Sequence, residues 1–296
     1  MDFKELEYFS TIVKCGNLTH AARQLYVSQP TLSKFLQKLE EDLGLVLFQR
    51  GSRRLKLTYA GQRYYAHVER ILSQKREMDA EMMDILRSDR GVLYVGIPPF
   101  RCSFSLPKVL PTFHKEFPQV QFRIVEAPSA VLDQKLLNGE IDLAFYMSFE
   151  RITGLSYQVM HRDKMYAILS KGHPLEAKAA QSGEFSLEWL AGQTLLLQNR
   201  TQRQGQYILQ ELEKRRIQPA EILESSNIRA AAALAANGYG IGFLSGELLE
   251  HLELDIPFGA YPLQNCTLHI ESVAAWRTGD YLPRYAQAFI KLMEQV

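Results

Sequence analysis

Asn17-Leu18-Thr19-His20-Ala21-Ala22-Arg23-Gln24-Leu25-Tyr26-Val27-Ser28-Gln29-Pro30-Thr31-Leu32-Ser33 is the stretch that decides the fold. It reads as two helices joined by a tight turn. Thr19 can cap the first of them, which turns Ala21, Ala22 and Leu25 inward, and the small alanines let another helix approach closely. Tyr26-Val27 forms the connection. Ser28 caps the next helix, with Gln29 and Pro30 in a first turn where a missing N–H is tolerated. Leu32, Leu36, Leu39 and Leu43 then form a buried stripe that runs to about Gly44. The outward positions near its start are Gln29, Thr31, Ser33 and Lys34, a hydrogen-bonding set suited to base edges and phosphates rather than the Glu/Lys pairs of a solvated face.

On the N-terminal side, Asp2 and Glu5 have capping-box spacing, and Phe3, Leu6, Phe9 and Val13 recur at helical intervals up to Cys15-Gly16. On the C-terminal side, Leu47-Phe48-Gln49-Arg50 and Leu55-Lys56-Leu57 alternate like two short strands around Gly51-Ser52. Arg50, Arg53, Arg54 and Lys56 gather there with no acid among them, so the hairpin is a basic wing. A plain three-helix bundle would share the caps and stripes.

From a Thr58 cap to about Arg87, Gly61, Tyr64, Val68, Ile71, Lys75, Met78, Met82 and Ile85 recur in steps of three and four, a heptad seam interrupted by Lys75. Thirty residues of helix make a rod of about 45 Å, longer than one small domain needs. The seam calls for a partner helix, or else the helix folds back on its own domain.

Beyond Ser88-Asp89-Arg90-Gly91 the pattern changes to short apolar runs between helical segments. Val92 to Ile97, Gln121 to Val125, Ile141 to Phe145, Met165 to Leu169, Thr194 to Gln198, Ile241 to Leu244 and Leu268 to Ala275 read as strands. Leu106 to Phe117, Val131 to Asn138, Ala230 to Asn237 and a terminal segment from about Leu282 read as helices. Such alternation predicts α/β domains with mostly parallel sheets.

The opening stretch, with Leu36, Leu39-Glu40, Leu43-Gly44, Leu47-Phe48, Arg50 and Leu57-Thr58-Tyr59-Ala60-Gly61, resembles the LysR-type transcriptional regulator family. The later part resembles the same family's effector domain. Gly91-Val92-Leu93-Tyr94-Val95-Gly96, Leu106-Pro107, Leu110-Pro111, Phe117-Pro118, Gly139-Glu140-Ile141-Asp142-Leu143-Ala144, His173-Pro174-Leu175 and Gly238-Tyr239-Gly240-Ile241-Gly242 carry that likeness. The resemblance implies a multidomain chain: an all-α winged helix-turn-helix over 1–58, a dimerisation helix over 59–88, and an effector domain over 89–296. The last would be a bilobed α/β domain like periplasmic binding proteins, with lobe I at 91–162 and 267–296 and lobe II at 163–266.

By the same resemblance Gln29, Pro30, Ser33 and Lys34 meet the major groove of operator DNA, and Arg53 enters the minor groove. Phe100, Arg101, Cys102, Ser103, Ser129, Tyr146, Asn199, Arg200, Thr201 and Asn227 would line the effector cleft. Arg101 and Arg200 together could hold an anionic co-inducer by charge-assisted bonds. At Pro98-Pro99 the chain departs from the family, many of whose members carry serine or threonine near there to bind a carboxylate. Expected partners are double-stranded DNA, a small-molecule effector, a homo-dimer or tetramer, and RNA polymerase.

A net charge of +1 and 46% hydrophobic content fit an ordinary multidomain globular chain rather than one coated with basic residues. Cys15, Cys102 and Cys266 lie too far apart in sequence for a zinc or disulfide framework, and Cys102 is a reactive thiol only if it sits at a helix N-terminus. Neither a signal peptide nor a membrane span is legible, so a cytoplasmic location is expected. No cofactor or metal is expected. An enzyme is the main competing class, but Gly238-Tyr239-Gly240-Ile241-Gly242 lacks the third glycine of a dinucleotide fingerprint. Leu244-Ser245-Gly246 is no nucleophile elbow, and no histidine pair has zinc-helix spacing.

Overall fold

The structure is a computed structural model, and it describes residues 2–49, 55–86, 89–266 and 269–296. The chain divides near residue 88 into a helical head unit and a larger C-terminal unit.

In the head, α1 (Phe3–Cys15) opens with the expected capping box: Glu5 N–H donates to Asp2 Oδ1 at 2.8 Å and Asp2 N–H donates to Glu5 Oε2 at 3.0 Å. The cap of α2 (Leu18–Gln24) is Asn17, not Thr19. Asn17 has the extended backbone a cap requires, and its Oδ1 accepts from Thr19 N and His20 N at 2.8 and 3.1 Å. Ser28 caps α3 (Gln29–Leu43) as expected. Leu32 and Leu36 are buried, but Leu43 is exposed, so the inward stripe ends a turn early. Glu40 serves the connection beyond, its Oε1 accepting from Leu47 N at 2.6 Å and Phe48 N at 3.1 Å. Of the wing, Phe48 bridges Leu57 in antiparallel fashion.

Thr58 caps α4 (Tyr59–Ile85), and here the heptad seam divides into two parts. Gly61 and Val68 are buried and Tyr64 half-buried against Phe9, Ile12, Leu47 and Phe48 of the head core, where Leu72 joins them. Burying Val68 and Leu72 contributes about 1.5–3 kcal/mol each, which explains why this half folds back on its own domain. Ile71, Met78, Met82 and Ile85 stay exposed. The continuous stripe expected from Gly61 onward is therefore shorter at its start.

The C-terminal unit is built on two sheets. β1 (Gly91–Ile97), β2 (Val120–Glu126), β3 (Leu143–Ser148), β4 (Leu155–Asp163) and β11 (Ile270–Arg277) form the first, in the order β2-β1-β3-β11-β4. β1 runs parallel to β2 and β3, and β11 runs antiparallel to β3 and β4. The second is ordered β6-β10-β5-β9-β7-β8, from β5 (Met165–Ser170), β6 (Phe185–Ser186), β7 (Thr194–Gln198), β8 (Glu221–Ser225), β9 (Ile241–Ser245) and β10 (Phe258–Gln264). β7 is parallel to β8 and β9. The chain leaves the first sheet at Asp163 and returns to it at Ile270.

Helices α5 (Pro99–Glu116), α6 (Ser129–Leu137), α7 (Pro174–Ser182), α8 (Arg203–Arg215), α9 (Ile228–Ala236), α10 (Gly246–Glu250) and α11 (Arg284–Met293) complete the unit. α5 starts seven residues before the expected Leu106. Its interior Pro107 and Pro111 leave the carbonyls of Ser103 and Pro107 without intrahelical donors, and both residues are exposed, so water can satisfy them. Strand β3 starts at Leu143 rather than Ile141, because Asp142 turns its carboxylate to accept from Tyr94 N at 2.8 Å.

Candidate functional site

The head presents one polar face. Gln29, Pro30, Thr31, Ser33 and Lys34 are all exposed on the first turns of α3, and Lys56 of the wing is exposed as well. Thr31 has a second duty: its hydroxyl lies 2.7 Å from that of Ser28, the cap, so it also braces the start of the helix. Arg50, Arg53 and Arg54, the rest of the expected basic cluster, lie outside the described residues. Buried Glu69 accepts from the Ser10 hydroxyl and takes Lys14 Nζ at 3.1 Å, linking α1 to the long helix.

In the C-terminal unit a cavity of 460 Å³ lies between the two sheets. The topology creates it. Parallel strands β1, β2, β7 and β8 run on into α5, α6, α8 and α9, so four helix N-termini converge on one cleft and bring backbone donors and positive dipole ends with them. Pro98 to Arg101 come from α5, Ser129 from α6, Gln202 to Gln204 from α8, and Ser226 to Arg229 from α9.

Two buried arginines clasp the sheets across this cleft. Arg203, from the second sheet's side, donates to Asp133 and Glu150 on the first, and to Gln206 Oε1 at 3.0 Å. Its own N–H donates to Ser129 Oγ at 3.1 Å, and the Tyr146 hydroxyl donates to the other oxygen of Asp133. Burial holds the Asp133 carboxyl above the ordinary carboxylate range, against the opposing pull of Tyr146 and Arg203. Arg101, from the first sheet's side, places Nη2 2.9 Å from Glu247 Oε1 of α10. His161 Nε2 lies 3.4 Å from the other Glu247 oxygen. Asp163 completes the junction by accepting from Gly246 N at 3.1 Å and Glu247 N at 3.0 Å.

His161, Asp163 and Glu247 thus approach within 4.8 Å of one another, but with a buried guanidinium holding Glu247. Burial pushes the Glu247 carboxyl up, but His161 and Arg101 outweigh it and hold it below its ordinary 4.5. The bond to Glu247 raises His161 above 6.5 against partial burial. The pair's contribution to stability is therefore complete between about pH 4.5 and pH 6.5. It is lost as pH falls through the depressed carboxyl value, and again as pH rises through the raised imidazole value. We expect His161→Gln to lower the melting temperature most near pH 6 and least above about pH 8.5. A gap between parent and variant that stays constant over that range would refute the coupling.

Of the sequence-expected effector residues, Phe100, Arg101, Ser103, Ser129, Tyr146 and Asn227 line the cleft. Asn227 does so as the cap of α9, its Oδ1 accepting from Ala230 N at 3.1 Å. Four others do not line it. Cys102 faces an apolar groove on the outer side with Leu106, Leu110 and Ile124, and burial raises its thiol, so its place in the first turn of α5 does not activate it. Asn199 folds into a turn by accepting from Thr201 N at 3.2 Å, and Arg200 points to solvent with Glu224 at 3.6 Å. The sequence reading missed Arg203, Gln204, Gln198, Gln202 and Arg229. A signal for α8 was present in Tyr207-Ile208 and Leu212 at helical spacing, ending in basic Lys214-Arg215.

Comparison with known proteins identifies the family of both segments. Residues 3–62 match the family described as "Bacterial regulatory helix-turn-helix protein, lysR family", and residues 86–296 match "LysR substrate binding domain". The HTH-type transcriptional regulator BsdA of Bacillus subtilis is 26% identical over 303 residues, covering 99% of this chain and all of that protein. A full-length OxyR variant from Pseudomonas aeruginosa shares the fold at a TM-score of 0.75 and 24% identity, over 99% of this chain and 94% of that one. Full-length CbnR, solved in complex with its target DNA, does so at 0.63 and 23%, over 100% and 99% of the two chains. Among the described residues no helix is long and apolar enough to cross a membrane. With both of its segments matched, the chain belongs to the LysR family of helix-turn-helix transcription regulators and carries a DNA-binding head and a substrate-binding domain.

Proposed function

We propose that this regulator reads operator DNA with the exposed face of α3 and has its activity altered by a small molecule bound in the cleft between the two sheets. The observation that carries the reading is the convergence of four helix N-termini on a cavity of ligand size, in a chain that also presents a polar recognition face. CbnR, which shares the fold, was solved on its target DNA, and that supports the first half.

Base contacts carry sequence information, whereas phosphate contacts mainly release counterions. Gln29→Ala and Ser33→Ala are therefore expected to reduce discrimination between operator and scrambled DNA, by about 1–3 kcal/mol wherever the side chain makes a well-formed hydrogen-bonded pair with a base edge. Lys56→Ala and Arg54→Ala should weaken both DNAs alike and flatten the salt dependence. Fluorescence anisotropy across a salt series separates the two patterns; unchanged affinity and specificity in all four variants would reject this placement on DNA.

The exposed Ile71, Met78, Met82 and Ile85 recur at seam spacing on α4, and we assign them to pairing with a second copy of the chain. Light scattering should show a dimer or tetramer at micromolar concentration, and Met78→Glu with Met82→Glu should shift it toward monomer. A stable monomer in the parent protein would end this assignment.

A further inference from the structure

The first three helices of the head each stop by turning one residue into the left-handed region. Gly16 does so after α1 and Gly44 after α3, with φ of 60° and 64°. A Cβ at either position would meet nothing within 4 Å, so glycine is there for its backbone alone. After α2 the same position is held by Tyr26, with φ of 55°. The bonding around it is that of a regular helix stop, Val27 N donating to Ala22 O at 3.0 Å and Tyr26 N to Arg23 O at 3.3 Å. Such a stop needs the left-handed backbone and makes no demand for an aromatic ring.

Nor does the ring pack within the head. Tyr26 is 96% exposed, the most exposed large hydrophobic side chain among the described residues. A single exposed aromatic is ordinary on a protein surface. A bulky one in a left-handed turn, where glycine or asparagine would sit with less strain, is not, and strain of this kind is kept where a function uses it.

The place of Tyr26 in the chain indicates the function. It lies in the turn between α2 and α3, two residues before the Ser28 cap and three before Gln29. Consecutive Cα atoms are about 3.8 Å apart, so those of Tyr26 and Gln29 lie within about 11 Å of each other. The major groove is about 12 Å wide, and a residue this close to one that reads base edges is within reach of the phosphates along the rim. Tyrosine suits that rim, because its hydroxyl donates to a phosphate oxygen and its ring is immobilised at low entropic cost.

We infer that Tyr26 is a backbone contact for DNA: when α3 enters the major groove, the Tyr26 hydroxyl donates a hydrogen bond to a phosphate at the rim and so fixes the depth and register of Gln29 and Ser33. This inference rests on the reading of α3 as the recognition helix and adds a contact outside that helix.

The test uses the full-length protein, a duplex that it selects from a randomised DNA pool, and a scrambled duplex of the same length. Fluorescence anisotropy across a salt series reads both. Tyr26→Phe, which removes only the hydroxyl, should weaken binding to both duplexes by about tenfold, the equivalent of one hydrogen bond to a charged group. The salt dependence should stay as in the parent, because a neutral hydroxyl carries no charge to release counterions; Lys56→Ala flattens it instead. Tyr26→Asn suits the left-handed turn but is too short to reach the rim. It should lose binding to the same degree while melting at or above the parent temperature. A residue that served only the fold would lose stability together with binding.

Parent-like affinity in Tyr26→Phe, a flattened salt dependence in that variant, or a Tyr26→Asn that melts below the parent overturns the inference. So does a loss confined to the selected duplex, which would make Tyr26 a reader of bases. If Gln29→Ala and Ser33→Ala lose discrimination while both Tyr26 variants bind like the parent, α3 remains the recognition helix and only the Tyr26 contact falls. If no duplex is selected, or if those two variants also bind unchanged, the reading of α3 falls and takes this inference with it.

Discussion

Replacing Arg203 with methionine is expected to destabilise the C-terminal unit by about 3–5 kcal/mol, because removing one member of a buried ion pair strands the other. The stranded group is Asp133, whose side chain is 4% exposed. Glu150 is 41% exposed, so water reclaims it and its share of the loss is small. For a unit of about two hundred residues this corresponds to a fall in melting temperature on the order of 10 °C. Adding Asp133→Asn to the same variant should recover most of the loss. The asparagine oxygen still accepts from the Tyr146 hydroxyl, and no buried carboxylate is stranded at position 133. Urea and thermal unfolding of the parent, both single variants and the double variant give the coupling directly. If Arg203→Met melts within 2 °C of the parent, or if the double variant is no better than the single, the clasp contributes little to holding the sheets together.

The head was legible from its sequence because its determinants are local. Asp2 and Glu5, Ser28 and Pro30, and the leucines of α3 act within a few residues of one another, and caps and stripes report such neighbours directly. Even the one displaced cap, Asn17 for Thr19, moved by two residues. The cleft was only partly legible because its partners meet across two sheets. No periodicity tells which glutamate will hold Arg101, and Glu247 lies in a helix of five residues that the hydrophobic pattern does not announce.

The expected helix over Leu106 to Phe117 left Phe100, Arg101, Cys102 and Ser103 ahead of it, outside any helix. This stretch is the first turn of α5, where successive side chains diverge by about 100°, so Arg101 turns to the cleft while Cys102 turns away. Asn199, Arg200 and Thr201 were close in sequence to the residues that matter. The Asx turn at Asn199 directs Arg200 to solvent, and the chain re-enters the cleft three residues later at Gln202 to Gln204. On α4 the heptad pattern was legible, but the boundary between the half that its own head covers and the half left exposed was not. Tyr64 and Val68 have the same spacing as Met78 and Met82, and only the position of α1 distinguishes them.

Gly61 belongs to that seam by spacing, and its role is different: Gly61→Ala is expected to disable DNA binding although it adds one methyl group. A Cβ at this position would lie 2.1 Å from the carbonyl oxygen of Leu47 and 2.9 Å from a methyl of Leu57. The side chain of Leu57 could turn aside, but the backbone of Leu47 is pinned on several sides. Its N–H donates to Glu40 of α3, and its carbonyl accepts from Thr58 N at 2.9 Å, just before α4 begins. Any shift that relieves the clash must therefore move α4 away from the wing or pull Leu47 from Glu40, and through Glu40 it reaches the helix that carries Gln29 and Ser33. Forced overpacking of this kind typically costs about 1–3 kcal/mol, which a small three-helix head can ill tolerate. Anisotropy with operator DNA should show a loss of at least tenfold in affinity, with a lower melting transition for the head. Gln62→Ala, one residue further on at an exposed position, should leave both unchanged. Normal operator affinity in Gly61→Ala would show that the wing and α4 can separate without disturbing α3, and the route through Glu40 would then be wrong.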